Sequence, residues 1–192
     1  MLHSRDITTD LARRALTNPE SEVLVLPGRS ISFAELDDLT WRAAAYFHEC
    51  GVRSGHVVAT LLKDDLQVAV ASLGLVRLGA TVAKLASSST PTQLQAQLRQ
   101  ARADFVVGKD QIPAITLSTI VFGEAALARA GKRPPPASEV DAPVFLLFGS
   151  GSTGEPKVMA LTAQNIFAFC RIGVSEPLYQ SNARVLMLFG LE

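Results

Sequence analysis

Between Ala142 and Asn165 the chain reads APVFLLFGSGSTGEPKVMALTAQN, an apolar run that breaks into a loop of small hydroxylated residues and glycines ending in Pro156 and Lys157. Ser150, Ser152 and Thr153 offer three hydroxyls, and Lys157 sets a point positive charge beyond a rigid proline. The glycines at 149, 151 and 154 allow backbone N–H groups to converge on an anion. Donors of these kinds within one short loop suit a phosphate group.

Several readings of the loop compete. Gly149, Gly151 and Gly154 satisfy G-x-G-x-x-G after a strand, the dinucleotide fingerprint of an oxidoreductase. That fingerprint should open a helix at once, yet KVMAL after Pro156 reads as another strand, and no acidic residue follows at the end of a next strand to hold a ribose. Gly149 and Gly154 also bracket four residues, as in a Walker-type P-loop, but Glu155 and Pro156 stand where Lys and Ser or Thr are required. A third reading takes the loop whole, as a hairpin-like cover over the phosphates of a nucleoside triphosphate. A plain Gly/Ser-rich surface turn is the bland alternative.

The bulk properties are those of a soluble globular chain. Of 192 residues, 48% are hydrophobic and 19% charged, the reverse of a disordered composition. Eighteen basic residues balance eighteen acidic ones, so no global field draws the chain to nucleic acid or an anionic membrane, and an anion site must be local. Cys50 and Cys170 sit in amphipathic segments with no cysteine or histidine at metal-ligand spacing, which makes them core residues and leaves no metal site. The start MLHSRDITTD carries charge where a signal peptide needs an apolar stretch, and LQVAVASLGLV is too short to span a bilayer. A reducing, cytoplasmic setting is expected.

Short apolar strands alternate with amphipathic helices, predicting an α/β fold with helices layered around a mostly parallel sheet. A helix near Thr8–Thr17 precedes a hairpin, EVLVLPGRSISF, turning at Pro27 and Gly28. The next helix has Ser32 and Glu35 as a capping box, Leu36, Leu39, Ala43, Phe47 and Cys50 on one face, and Gly51 as its stop. HVVATLL, ATVAKL and DFVVG read as strands; DLQVAVASLGLVRLG between them reads as a helix packed between layers. Thr90, Pro91 and Gln93 start another helix with a second capping box. STIVFG is a strand, residues 124–130 a short helix, and 131–143, GKRPPPASEVDAP, a proline-rich linker before the strand VFLLF.

GSGSTGEPK followed by LTAQN closely resembles the phosphate loop of the adenylate-forming (AMP-binding) superfamily, (T/S)-S-G-(S/T)-T-G-x-P-K-G with L-T-H-x-N after it. That superfamily comprises acyl- and aryl-CoA synthetases, nonribosomal peptide adenylation domains and luciferases. ISFAELDDLTWRAAAYFHECGVRSGHVVATLL and LVRLGATVAKL resemble its upstream signatures in the same order, so the match runs from about Thr8 to the C-terminus. The resemblance implies part of the large N-terminal domain of an enzyme that uses ATP and Mg2+ to activate a carboxylic acid as an acyl-adenylate, often for transfer to CoA or a carrier protein. It also implies that Ser150, Gly151, Ser152, Thr153, Gly154 and Lys157 hold the ATP phosphates. Positioning and charge neutralisation carry that step, and no catalytic acid or base is assigned in this chain.

The departures from the pattern are specific. Gly149 stands where the family has Thr or Ser, Val158 where Gly follows the lysine, Ala163 where it has His, Lys84 in place of a frequent proline and His56 in place of an aspartate. Lys84, His56, His3 and His48 are read as solvated surface residues. The family's magnesium-binding glutamate, ribose-binding aspartate and mobile C-terminal domain find no counterpart, so 1–192 is expected to be an N-terminal piece, inactive alone and covering its cut surfaces by self-association. ATVAKLASSST matches the AYVPLDP strand of peptide-synthetase domains poorly, which tilts the expectation toward a CoA ligase. The alternative is a non-catalytic scaffold or interaction module that keeps this half-fold.

Overall fold

The computed structural model describes residues 4–112, 115–129, 131–135, 142–149 and 157–175. Helix α1 (Ser4–Thr17) leads into the antiparallel pair β1 (Glu22–Leu26) and β2 (Arg29–Ser32). The turn between them needs Gly28, whose φ of +74° lies in the left-handed region. Helix α2 (Phe33–Glu49) follows directly. Ser32 Oγ accepts from the Glu35 N–H at 3.2 Å, while the Glu35 carboxylate pairs with Arg29 across the hairpin turn. The expected capping box is therefore present in its Ser32 half, and Glu35 is used to tie β2 to α2. Gly51, at φ +95°, ends the helix as the sequence requires.

The remaining strands are β3 (Val57–Leu61), β4 (Thr81–Lys84), β5 (Phe105–Gly108), β6 (Thr119–Val121), β7 (Phe145–Gly149) and β8 (Lys157–Leu161). They form one sheet in the order β6-β5-β3-β4-β7-β8, parallel throughout except for β8, which runs antiparallel to β7. The mostly parallel α/β architecture predicted by the alternation of strands and helices is the one observed. Helix α3 (Asp65–Arg77) joins β3 to β4 and helix α4 (Pro91–Ala101) joins β4 to β5; α5 (Glu124–Leu127) follows β6 and α6 (Ala163–Ser175) follows β8.

Alternation along the strands divides the core in two. Val58, Val82 and Val107 face one way, into a cluster with Ala43, Phe47, Leu75 and Val76 of α2 and α3. Ala59, Ala83 and Val106 face the other way, against Leu94 and Leu98 of α4. The start of α4 carries the complete capping box expected of Thr90 and Gln93, with Pro91 in the first turn. Helices α2 and α3 cross so closely that a Cβ added at Gly74 would lie 2.7 Å from Ala43 Cβ and 3.2 Å from the Thr40 carbonyl oxygen.

At the end of that crossing, Arg77 is buried, donates from Nε to Thr40 Oγ1 at 2.9 Å and pairs with Asp37. Burial pulls its pKa down and Asp37 opposes the shift. Its guanidinium carbon lies 4.4 Å from the ring centre of Trp41, and that of Arg133 lies 5.0 Å from the same ring. The first described stretch of the proline-rich segment, 131–135, is thus laid on α2. Pro134 is buried, and Gly131 sits where a Cβ would meet Ala45 Cβ at 2.8 Å.

Candidate functional site

The hairpin β7–β8 is built by two apolar runs of equal length. Val82 N–H donates to the Val144 carbonyl at 2.9 Å, docking β7 on β4, and Val144 N–H donates to the Leu161 carbonyl at 2.7 Å, closing the hairpin base. From there the ladder runs Phe145 opposite Leu161, Leu147 opposite Met159, and finally Gly149 opposite Lys157. Both ends of the glycine loop are therefore held at one point, at the carboxyl end of a parallel sheet where such folds bind ligands. Ser150, Gly151, Ser152, Thr153 and Gly154 lie outside the described residues; Lys157 is described, and is exposed.

This strand–loop–strand arrangement decides between the readings of the loop. Both the dinucleotide fingerprint and the Walker loop need a helix whose N-terminus meets the phosphate. Here Lys157 opens a strand, and α6 begins only at Ala163. Lys157 enters none of the ion pairs among the described residues. Among the described residues, a Cβ at Gly149 would meet nothing nearer than the Lys157 carbonyl oxygen at 4.0 Å. An exposed lysine at the point where the loop is anchored is a cation suited to pairing with a phosphate.

LTAQN acquires a local physical role. Thr162 Oγ1 accepts from the Asn165 N–H at 3.2 Å, and Asn165 Oδ1 accepts from the Thr162 N–H at 3.0 Å, a reciprocal cap that starts α6 immediately after β8. Ala163, in the place of the usual histidine, is buried in the main core.

Two readings of polar residues need correction. Lys84 is half-buried at the end of β4; desolvation lowers its pKa, with Asp65 opposing. The sequence offered one signal, its place as the last residue of a buried strand. His56 is also half-buried, its Nδ1 accepting from the Arg53 N–H at 3.1 Å and its ring 5.4 Å from that of Phe105, so it closes a turn instead of facing solvent. His48 is part-buried, and His3 lies outside the described residues. Cys50 packs against the core with its thiol pKa raised by burial; the Cys170 side chain lies outside the described residues. Among the described residues no group of three or more His, Cys, Asp or Glu side chains is placed to hold a metal ion. No helix among them is long and apolar enough to cross a membrane.

Residues 11–189 match the family described as AMP-binding enzyme. The chain belongs to that family. Over 167 residues it is 32% identical to malformin synthetase mlfA of Aspergillus niger, covering 81% of this chain and 3% of that protein. It is 31% identical over 163 residues to nonribosomal peptide synthetase dtxS1 of Metarhizium robertsii, covering 81% of this chain and 2% of that one. In three dimensions it resembles the O-succinylbenzoate coenzyme A synthetase of Bacillus subtilis in complex with AMP, with a TM-score of 0.85 at 23% identity over 94% of this chain and 49% of that one. The same synthetase in complex with ATP and magnesium ion matches at a TM-score of 0.76 and 23% identity, over 86% of this chain and 46% of that one. The chain thus spans about half the length of the solved synthetase and a few per cent of the two relatives matched in sequence. The expected tilt toward a CoA ligase gains no support from these sequence relatives, one of which is named a nonribosomal peptide synthetase, and the structural likeness speaks for the fold.

Proposed function

We propose that the chain is the ATP-binding portion of an AMP-forming ligase that activates a carboxylic acid as an acyl-adenylate. One observation carries the reading: the family's loop is mounted on an antiparallel hairpin whose closing pair, Gly149 and Lys157, stands at the carboxyl end of the sheet. Ser150, Gly151, Ser152, Thr153, Gly154 and Lys157 are the proposed phosphate-holding residues. When bound, ATP with its magnesium ion supplies the electrophilic phosphorus and the pyrophosphate leaving group. The chain's own part is to hold the phosphates still through N–H groups and hydroxyls, and to offset their charge through Lys157.

The thiol that receives the acyl group is CoA or a carrier protein; the relatives named as peptide synthetases favour the carrier. Since solved relatives are about twice as long, we further infer that residues 1–192 alone do not complete the reaction. Substrate-dependent exchange of labelled pyrophosphate into ATP tests both statements. Exchange is expected from a polypeptide that joins this chain to the remainder of a family domain, with loss on changing Lys157. Robust exchange by the 192-residue chain would overturn the second statement, and none from the joined polypeptide would overturn the first.

A non-catalytic interaction module is the second reading. It is favoured by β8, the edge strand of the sheet among the described residues, whose first four residues are exposed and include Val158 and Met159. The same edge supports self-association of the chain.

A further inference from the structure

The carboxyl edge of the sheet carries a second lysine close to the hairpin. β4 lies between β3 and β7, and its last residue, Lys84, pairs with Thr60 of β3. On the other side Ala83 pairs with Leu146, so Lys84 stands one step further along, just short of Gly149 where the loop begins.

The chain leaves β3 and β4 in opposite directions. After β3 it turns into α3, which packs in the cluster containing Val58 and Val82; after β4 it turns into α4, which packs in the cluster containing Ala59 and Ala83. The two loops leave on opposite faces of the sheet, which makes the carboxyl ends of β3 and β4 a topological switch point, the place where open parallel sheets take ligands. By strand alternation Lys84 lies on the Val82 side, toward α3, where Asp65 in the first turn is the charged group that acts on it. Lys84 is half-buried there, with its charge partly desolvated, an arrangement that costs stability and concentrates at functional sites.

We propose that Lys84 is a further substrate-binding residue, its ammonium contacting an anionic oxygen of the bound substrates at the switch point between the carboxyl ends of β3 and β4. The proposal rests on the reading of the β7–β8 hairpin as the phosphate site. The oxygen has two possible sources, the polyphosphate extending inward from the hairpin and the carboxylate of the acid to be activated.

The test uses the 192-residue chain with its lysines labelled by 13C-dimethylation, which keeps their charge, and with the Lys84 and Lys157 signals assigned from K84R and K157R. Movement of the Lys84 signal on titration with MgATP assigns the phosphate source. Movement with benzoate and not with MgATP assigns the carboxylate. Lys63 and Lys109 report non-specific ion binding, and movement of Lys84 no larger than theirs overturns the proposal. If Lys157 moves and Lys84 does not, the proposal falls and the hairpin reading stands; if neither moves, both fall. In the same chain K84Q, checked for native circular dichroism, is expected to weaken the active probe about tenfold, as loss of a charge-assisted hydrogen bond does, with K84R keeping most of the affinity.

Discussion

Gly149 and Lys157 stand directly opposite each other as the closing pair of the β7–β8 ladder. The relationship makes the length of the loop between them a fixed quantity and puts its only lysine on the strand that returns. It also leaves a vacancy, because the family residue at the Gly149 position carries a hydroxyl. Among the described residues a Cβ there meets only ordinary van der Waals contact at 4.0 Å, and the φ is outside the left-handed region. Gly149→Thr is therefore expected to fold normally and to tighten MgATP binding about two- to tenfold, the worth of one added hydrogen bond. Lys157→Ala is expected to weaken it about tenfold or more. Calorimetric titration of both variants checks the pair, and an unchanged affinity in Lys157→Ala would count against the site.

The Asp37–Arg77 pair should matter for stability. Removing the carboxylate leaves a buried guanidinium whose partners among the described residues are Thr40 and the Trp41 face. Asp37→Ala is expected to cost about 3 kcal/mol in urea denaturation, near the lower end for a broken buried pair because Asp37 keeps some solvent contact. The double change Asp37→Leu with Arg77→Met should recover most of that loss. A double variant no more stable than Asp37→Ala would show that the pair has no separable role.

Gly74 is a packing requirement of the α2–α3 crossing. Alanine is the better helix former by about 1 kcal/mol, yet its methyl would press on Ala43 Cβ and on the Ala44 and Thr40 backbone, none of which can swing aside. Gly74→Ala is expected to be destabilising by about 1–3 kcal/mol. Thermal unfolding at equal or higher Tm than the parent would contradict the crossing as described.

Lys84 predicts an unusual pH dependence. Its pKa is lowered in the folded chain, with burial the larger cause and Asp65 opposing. Between the lowered value and the ordinary lysine value the unfolded chain binds more protons, so stability rises with pH across that window and the burden is full below it. Lys84→Met is therefore expected to raise Tm at pH 7, with the advantage shrinking as the pH approaches the ordinary lysine range. A lower Tm at pH 7 would refute this.

Self-association should run through the β8 edge, where Met159 is 54% exposed. Light scattering is expected to give a dimer or larger species, shifted toward monomer by Met159→Lys, since a charge on an edge strand opposes pairing. A monomeric mass over a wide concentration range would remove the proposal.

What the sequence by itself determined is local. Thr90, Pro91 and Gln93 start α4, Gly28 and Gly51 turn the chain, and the strands fall on their β-branched runs, because caps, left-handed glycines and short apolar periods act within a few residues. The strand-like KVMAL after Pro156 was legible for the same reason, and with it the exclusion of the helix-borne nucleotide loops. Only the tertiary structure decided which strands are neighbours. Alternation tells which side chains share a face, but not that β4 lies between β3 and β7 or that α3 and α4 cover opposite faces. For that reason Lys84 reads as solvent-facing in the sequence and is half-buried at the carboxyl end of β4 in the fold. Glu35 was diverted from its cap to Arg29, and Arg77 found Asp37 forty residues away, because partners brought together by packing outcompete local ones.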